Sequence, residues 1–156
     1  YSTCVGEGPF VGELQGDEAV ALRAAGHEYG AATGRPRRVT WMDVVAARYG
    51  VRMQAATELA LTKMDVLDCF KELPVCVGYK LHGQVLSDFP YTADLDDCEP
   101  VYEVLPGWQC DTTHARRFED LPKAAQDYVL FIEKELGCPL PYVSVGAERD
   151  AMIIRG

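Results

Sequence analysis

Apolar positions recur at helical spacing in three stretches of the chain. The first stretch predicts a helix from residue 17 to about residue 25, ended by Gly26. The second predicts a helix from residue 41 to about residue 53, where Thr40 with Asp43 three residues later resembles a capping box. Two helices are therefore expected in the first third of the chain.

The third and clearest helix is predicted from about residue 121 to residue 136. Asp120 precedes it, Pro122 lies in its first turn and Gly137 stands at its end, which is the usual asymmetry of helix termini. Three apolar residues are expected on its buried stripe: Leu130, Ile132 and Leu136.

Short apolar runs bounded by turn residues predict the strands. They cover residues 59–61, 75–81, 85–89, 101–105, 142–143 and 152–154. The run at 59–61 is predicted to be a buried strand, and His82-Gly83 is expected to close a hairpin between the second and third runs. Because strands and helices are interleaved and no internal repeat is visible, the pattern predicts an α/β fold.

The composition is that of one ordinary globular domain. Of 156 residues, 48% are apolar and 25% are charged, with 14 Gly and 9 Pro, which excludes disorder, collagen and coiled coil. No apolar run is long enough to span a bilayer, so no membrane partner is expected. The chain begins at Tyr1 without an initiator Met, and we therefore expect a piece of a longer polypeptide.

Charge is unevenly distributed along the chain. The formal net charge is -9, which argues against nonspecific binding of nucleic acid. Residues 23–52 nevertheless hold six Arg and only two acidic residues, Glu28 and Asp43. A cationic segment in an acidic chain predicts a small anionic ligand.

The six cysteines are predicted to be reduced, intracellular and mostly structural. None forms a C-x-x-C pair and no His lies at zinc-finger spacing. Cys76 lies inside an apolar run and is expected in the core, and a thiol hydrolase lacks a supporting His or Asn constellation. Four acidic residues are expected to form a solvated loop rather than a metal site: Asp94, Asp96, Asp97 and Glu99.

Two segments carry candidate binding chemistry. The first is Ala31-Ala32-Thr33-Gly34-Arg35-Pro36-Arg37-Arg38, which places small residues beside three guanidiniums. Arg offers planar bidentate donors to carboxylate or phosphate, and the small residues let the backbone approach a ligand. The segment therefore predicts an anion-binding loop, with a solvated basic turn as the alternative.

The second segment is Thr62-Lys63-Met64-Asp65, which follows an apolar run. A carboxylate can accept both the N1 hydrogen and the N2 amino hydrogens of guanine, and a Lys stem can lie along the base plane. Ser144-Val145-Gly146, at the end of another predicted strand, is the candidate for a second wall of the same pocket. The alternative is an exposed loop.

Five stretches together carry a family resemblance. They are VGEGPF at 5–10, GHEYGAATGRPRR at 26–38, LALTKMDVLD at 59–68, EPVYEVLPGW at 99–108 and SVGAERD at 144–150. In this order they resemble the carboxyl-terminal portion of the adenylosuccinate synthetase family, and the resemblance covers essentially the whole chain.

The resemblance implies a fold and a function. The fold is expected to be the carboxyl-terminal part of a P-loop-NTPase-like mixed sheet flanked by helices, with the phosphate-loop region upstream of residues 1–156. The family joins IMP to L-aspartate with GTP and Mg²⁺ in the purine route to AMP. GTP phosphorylates the 6-oxygen of IMP, and the aspartate amine then displaces phosphate. A cytoplasmic homodimer is expected.

The resemblance also implies roles for particular residues. Residues 31–37 match a mobile loop that closes on aspartate, in which Arg35 reaches the aspartate and IMP side and Arg37 contacts GTP. Six further residues match the guanine pocket: Lys63, Met64, Asp65, Ser144, Val145 and Gly146. The chain departs from the family in two places. Ala32 stands where the first of two threonines is usual, and Val11-Gly12 stands where Pro-Thr is common.

The chain contains no G-x-x-x-x-G-K-[ST] phosphate loop, so neither catalytic residues nor metal ligands are predicted within it. Because phosphoryl transfer depends on groups that surround the γ-phosphate, this segment alone is expected to be inactive. Two hypotheses stay open. The chain is either part of a GTP-dependent ligase or a non-catalytic module that binds purine nucleotides.

Overall fold

The computed structural model describes residues 1–155, which form a mixed α/β chain. Its α-helices are α1 (Gly16–Gly26), α2 (Val44–Gln54) and α3 (Lys123–Leu136). Its strands are β1 (Ser2–Cys4), β2 (Arg38–Thr40), β3 (Met42–Asp43), β4 (Ala60–Leu61), β5 (Glu72–Leu81), β6 (Gln84–Leu86), β7 (Glu99–Pro106), β8 (Tyr142–Ser144) and β9 (Met152–Ile154). Mixed sheets flanked by helices confirm the predicted fold class.

The described residues divide into two compact units, whereas the composition predicts one domain. Unit 1 contains Tyr1–Tyr49 and Pro74–Val104. Unit 2 contains Gly50–Leu73 and the described residues from Leu105 onward. Each unit has its own sheet and its own buried residues.

Unit 1 is built around two small sheets. β1 pairs antiparallel with β2, and β5 pairs parallel with β3 and antiparallel with β6. β7 also pairs with β5. The core cluster consists of Val11, Val45, Cys76, Tyr79 and Leu95. Cys76 is thus a core residue, as predicted, and burial raises the pKa of its thiol to about 12.

Unit 2 contains a three-stranded sheet in the order β4-β8-β9. β8 runs parallel to β4 and antiparallel to β9. Trp108 packs its ring edge on Tyr128 of α3 at 5.8 Å between centroids. The carboxylate of Asp68 accepts hydrogen bonds from the Trp108 indole at 2.6 Å and from the backbone N–H of Thr112 at 2.8 Å. This network fixes the chain that follows β7.

The caps of the first two helices differ from the prediction. α1 ends at Gly26 as expected, but the left-handed capping residue is His27, with φ 52°. α2 begins at Val44 rather than 41, because the Asp43 carboxylate accepts hydrogen bonds from the N–H groups of Val45 and Ala46 at 3.0 Å each. The predicted capping role of Thr40 is wrong, since its hydroxyl donates to the carbonyl of residue 12 at 2.7 Å.

The third helix forms where it was predicted and ends at the predicted residue, Leu136. Gly137 caps it in the left-handed conformation, and Pro122 lies just before its first residue, Lys123. Ile132 and Leu136 are buried as expected. The prediction for Leu130 is wrong, because this side chain is 42% exposed.

The strands follow the predicted runs with shifted ends. The runs at 75–81 and 101–105 lie inside the longer β5 and β7, and the hairpin at His82-Gly83 is confirmed by the antiparallel β5–β6 pairing. The run at 59–61 yields only β4, where Ala60 is exposed. β4 is an outer strand of its sheet, so the prediction that this strand is buried is wrong.

Within residues 1–155, no helix combines the length and the apolar character that crossing a membrane would need.

Candidate functional site

Residues 28–37 form a narrow hairpin in unit 1 that carries the predicted anion-binding loop. Tyr29 and Pro36 form an antiparallel bridge, and the N–H of Arg37 donates to the carbonyl of Glu28 at 2.9 Å. Backbone hydrogen bonds therefore close the base of the loop on both sides of the bridge.

The tip of this hairpin, residues 31–34, is exposed and turns tightly. The N–H of Gly30 donates to the carbonyl of Arg35, and the N–H of Gly34 donates back to the carbonyl of Gly30, each at 2.8 Å. Gly34 has φ 64°, a left-handed conformation that favours glycine. The Thr33 hydroxyl accepts from the N–H of Arg35 at 3.3 Å. The loop is thus a defined turn with its small residues outermost.

The three guanidiniums of the loop have different partners. Arg35 is exposed, and its guanidinium makes no hydrogen bond or ion pair with any other residue in 1–155. Arg37 Nη1 donates to Glu28 Oε2 at 2.9 Å. Arg38 Nε and Nη2 donate to Glu13 Oε2 at 2.8 and 2.6 Å. The alternative of a uniformly solvated basic turn is therefore wrong for Arg37 and Arg38.

Arg38 organises the glycine-rich segment that resembles the family's VGEGPF stretch. Its Nη1 donates to the carbonyl of Gly8 at 2.8 Å, and its guanidinium lies 5.4 Å from the centre of the Phe10 ring. The hydrogen bond to Glu13 raises the already high pKa of Arg38 further. Arg38 is thus a structural cation at the edge of the loop.

These residues surround one cleft, which we name the arginine cleft. It is lined by residues 4–7 together with residues 30, 33 and 35–38, and it encloses about 530 Å³. Arg35 and Arg37 both line it and lie two positions apart around the bridge at Pro36, so they project to the same side of the extended segment. The cleft thus offers an exposed cation beside a partly buried one.

The predicted guanine-reading residues lie in unit 2, where the turn at Lys63 contacts the end of β8. The N–H of Lys63 donates to the Ser144 hydroxyl at 3.0 Å. Lys63 has φ 62° and ψ 41°, a left-handed conformation that is unusual for a non-glycine residue and costs free energy. The strained turn at Lys63 and the end of β8 are therefore adjacent.

Asp65 lies on the 3-10 turn Met64–Leu67 that follows, and it is half-buried. Its Oδ1 is shielded from solvent and accepts no hydrogen bond from any described residue. Burial raises the pKa of this carboxyl, and the nearby Asp68 carboxylate acts in the same direction. Oδ1 therefore lacks the hydrogen-bond donor that a buried carboxylate oxygen usually has.

Three other predicted pocket residues, Met64, Val145 and Gly146, differ in how accessible they are. Met64 and Val145 are 1% and 0% exposed, so neither residue offers accessible surface to a ligand. The N–H of Val145 is already bonded to the carbonyl of Ala151 at 3.0 Å. Gly146 follows in the loop after β8 and is half-buried. The predicted aspartate loop and the predicted guanine-reading residues thus belong to different compact units.

Sequence reasoning gave Glu28 no role and gave Asp43 only a place in a capping box. Glu28 and Asp43 are 2% and 7% exposed, respectively. Asp43 caps α2 and accepts a short hydrogen bond from Tyr79, while Glu28 pairs with Arg37. Their scarcity among six arginines was the only sequence signal that could have singled them out.

No metal-binding cluster occurs in the part of the chain that the structure describes. Across residues 1–155, no three His, Cys, Asp or Glu side chains come close enough together to hold an ion. The acidic residues 94, 96 and 97 lie on a 3-10 turn, Thr92–Asp97, where Asp96 and Asp97 are exposed. These residues therefore do not fit a Mg²⁺ site.

The structure is that of a mixed α/β protein in which polar loops follow the short strands β4 and β8. The chain belongs to the adenylosuccinate synthetase family, because a family model with the description adenylosuccinate synthetase matches residues 1–153. This finding confirms the resemblance that the five sequence stretches indicate.

Known relatives agree with this membership. An adenylosuccinate synthetase from Geobacter sulfurreducens is 50% identical over 155 residues, which are 99% of this chain and 36% of that protein. A chloroplastic adenylosuccinate synthetase from Chlamydomonas reinhardtii is 49% identical over 99% of this chain and 34% of its own length. The solved structure of a fully ligated adenylosuccinate synthetase from Plasmodium falciparum matches with a TM-score of 0.94 and 38% identity, over 100% of this chain and 38% of that one. The chain thus spans about a third of the length of these relatives, which are named as adenylosuccinate synthetases.

Proposed function

We propose that residues 1–156 are the carboxyl-terminal segment of a GTP-dependent ligase that joins IMP and L-aspartate to form adenylosuccinate in AMP biosynthesis. Family membership supports the reaction, and the share of each relative that the chain covers supports the assignment as a segment. Under this proposal the segment supplies the guanine pocket and the aspartate loop. The phosphate loop and the groups that activate IMP lie outside it. We further propose a cytoplasmic homodimer.

The observation that carries the proposal is the half-buried Asp65 carboxylate, which follows the Lys63 turn bonded to Ser144 and whose Oδ1 has no donor among the described residues. Guanine presents an N1 hydrogen and N2 amino hydrogens on one edge, and both can be donated to a carboxylate. Adenine presents an unprotonated N1 there and would repel the same oxygen. Asp65 is therefore assigned to selecting GTP, with residues 144–146 as the opposite wall of the pocket.

The arginine cleft is assigned to the anionic groups of the substrates. Arg35 has its guanidinium donors available and is exposed at the loop, which suits a carboxylate of aspartate that binds as the loop closes. Arg37 lines the same cleft and is assigned to GTP. Thr33 offers a hydroxyl, while Ala32 offers none at the position where the family usually has a second one.

The family implies Mg²⁺ with GTP, but the described residues provide no group that fits the ion. We therefore assign no step of the reaction to a metal held by this segment. The contribution of its own residues is to bind and orient substrates.

Asp65→Asn in the full-length protein that carries these residues tests the proposal. Asn keeps one acceptor but places an amide N–H₂ against the guanine donors, and losing a charge-assisted hydrogen bond in a shielded site costs about 1.5–3 kcal/mol. We expect GTP affinity, measured by calorimetry, to fall by about ten- to a hundredfold. Asp127→Asn is the matched control, because Asp127 is an exposed carboxylate paired with Lys123 on α3. Equal GTP affinity in wild type and Asp65→Asn would refute the guanine assignment.

A further inference from the structure

Glu28 is a buried carboxylate at the base of the anion-binding hairpin. It is 2% exposed, and its two oxygens have different partners. Tyr1 Oη donates to Oε1 at 2.6 Å, and Arg37 Nη1 donates to Oε2 at 2.9 Å. A buried charge is tolerated when it is paired and hydrogen-bonded in this way. The function proposed above gives Glu28 no role.

The hairpin does not need the side chain of Glu28 to hold its shape. The backbone hydrogen bond from Arg37 to the carbonyl of Glu28 and the bridge between Tyr29 and Pro36 already fix the two strands. Glu28 and Arg37 are therefore opposed across a closed ladder, where side chains on one face lie within reach of each other. The ion pair fixes the guanidinium, while the backbone fixes the loop.

Arg37 keeps donors for a ligand while it is held by Glu28. A guanidinium has five N–H donors, and Glu28 occupies the one on Nη1 that the short contact uses. The Arg37 side chain is 36% exposed, and it lines the arginine cleft. Its Nε is buried and makes no hydrogen bond to any described residue. The side chain is thus anchored at one end and open to the cleft.

We propose that Glu28 is a positioning residue that orients Arg37 for the anionic ligand of the arginine cleft, with Tyr1 holding the carboxylate in place. This inference rests on the function proposed above, in which that ligand is GTP. An Arg side chain loses several rotatable bonds when it binds, and fixing its orientation beforehand lowers the entropic cost of association. Glu28 therefore acts on ligand affinity through Arg37.

Electrostatic repulsion alone predicts the opposite change in GTP affinity when Glu28 is neutralised. The direction of that change therefore tests the inference. A carboxylate beside Arg37 repels an anionic ligand, so removing its charge would strengthen GTP binding if the field alone mattered. A positioning role predicts weaker binding, because the neutral side chain no longer holds the guanidinium with a charge-assisted bond. Repulsion and positioning thus predict opposite changes in GTP affinity.

The experiment uses the full-length protein that carries these residues, with GTP as the calorimetric probe. For Glu28→Gln we expect GTP affinity about five- to tenfold weaker, and the Michaelis constant for aspartate unchanged because the ion pair of Glu28 orients Arg37 and not Arg35. In an Arg37→Ala background, Glu28→Gln should have no further effect on GTP affinity. Unchanged or tighter GTP binding by Glu28→Gln, or an equal loss in the Arg37→Ala background, would overturn the inference.

Two further variants separate positioning from stability. Tyr79→Phe removes a buried hydrogen bond to Asp43 elsewhere in unit 1, so it should lower the unfolding temperature and leave GTP affinity unchanged. Tyr1→Phe removes one bond to Glu28 but keeps the ion pair, and we expect a loss of about two- to threefold in GTP affinity. If Glu28→Gln does not fold, no loss in Tyr1→Phe overturns the inference. Wild-type protein that does not bind GTP would overturn the proposed function instead.

Discussion

Arg35 is the one guanidinium of the hairpin whose donors no described residue engages. We expect Arg35→Lys to raise the Michaelis constant for aspartate and to lower turnover, each by about tenfold, although the charge is kept. A compact ammonium cannot reproduce a bidentate contact with a carboxylate, and the loop orders around that contact. Steady-state kinetics on the full-length protein will measure both constants.

Arg117→Lys is the control for this substitution. Arg117 is exposed in unit 2 and pairs with Asp120 at 2.8 Å, so the exchange should leave the kinetics unchanged. A change in Arg35→Lys that is confined to the GTP constant would contradict the role assigned to Arg35.

At the level of residues, the sequence predicted the types of group at the site but not their partners. The spacing of Lys63 and Asp65 after a strand was sufficient to propose a guanine pocket, because that proposal depends on local order in the chain. The pairing of Glu28 with Arg37 and Tyr1 joins residues that are 9 and 27 positions apart. Nothing in the sequence distinguishes a buried Glu from an exposed one in a polar segment.

The loop that joins β1 to α1 turns on Gly12, at the position where the family commonly has Thr. Gly12 has φ 72°, and a Cβ at this residue would lie 2.5 Å from Tyr102 Oη and 3.2 Å from Thr40 Oγ1. We expect Gly12→Thr to destabilise the protein by about 1–3 kcal/mol, because a β-branched residue is strained in this conformation. The midpoint of urea unfolding will show the effect.

Gly50→Ala is the matched control for this glycine. Gly50 lies within α2, and a Cβ there would meet only Gln54 Nε2, at 3.8 Å. Alanine in a helix should stabilise the protein by about 0.5–1 kcal/mol. If Gly12→Thr were neutral, the loop would have a second conformation that suits Thr.

At the level of elements, it was easier to predict whether a segment is a helix or a strand than to predict its first and last residues. The long apolar period of α3 and the hairpin at His82-Gly83 were predicted correctly, since local pattern and turn chemistry determine both. The start of α2 was placed at 41 because Thr40 with Asp43 three residues later resembles a capping box, although Asp43 can also cap a helix by itself. Tertiary contact decides between them, as Thr40 is bonded to the loop at residue 12. β4 was predicted to be buried because its residues are apolar. The prediction failed because apolar composition does not reveal which strand lies at the edge of a sheet.

The chain by itself is expected to show no synthetase activity. With IMP, aspartate, GTP and Mg²⁺ supplied, no ultraviolet absorbance change from adenylosuccinate is expected, because the chain has no phosphate loop to hold the γ-phosphate. We also expect self-association in size-exclusion chromatography. Several large apolar side chains are exposed, including Val5 at 82%, Tyr91 at 84% and Ile154 at 71%.

The full-length protein is the control for both measurements. Turnover by the 156-residue chain, purified free of host enzyme, would overturn the view that the catalytic groups lie outside it. A soluble monomer would contradict the expectation of self-association.

At the level of the whole molecule, the family resemblance correctly predicted the fold. The division into two units was not predicted, because it depends on contacts that no local pattern encodes.

Unit 1 is discontinuous along the chain, and this has a consequence for synthesis on the ribosome. Its first part ends at Tyr49, and its second part begins only at Pro74 and continues to Val104. β3 emerges early, yet its pairing strand β5 is completed only after a stretch of unit 2 has been made. The buried cluster around Val45 and Tyr79 thus cannot close until residues from both parts have left the exit tunnel. Val45, at the start of α2, therefore stays without its buried partners Cys76 and Tyr79 until β5 has been synthesised.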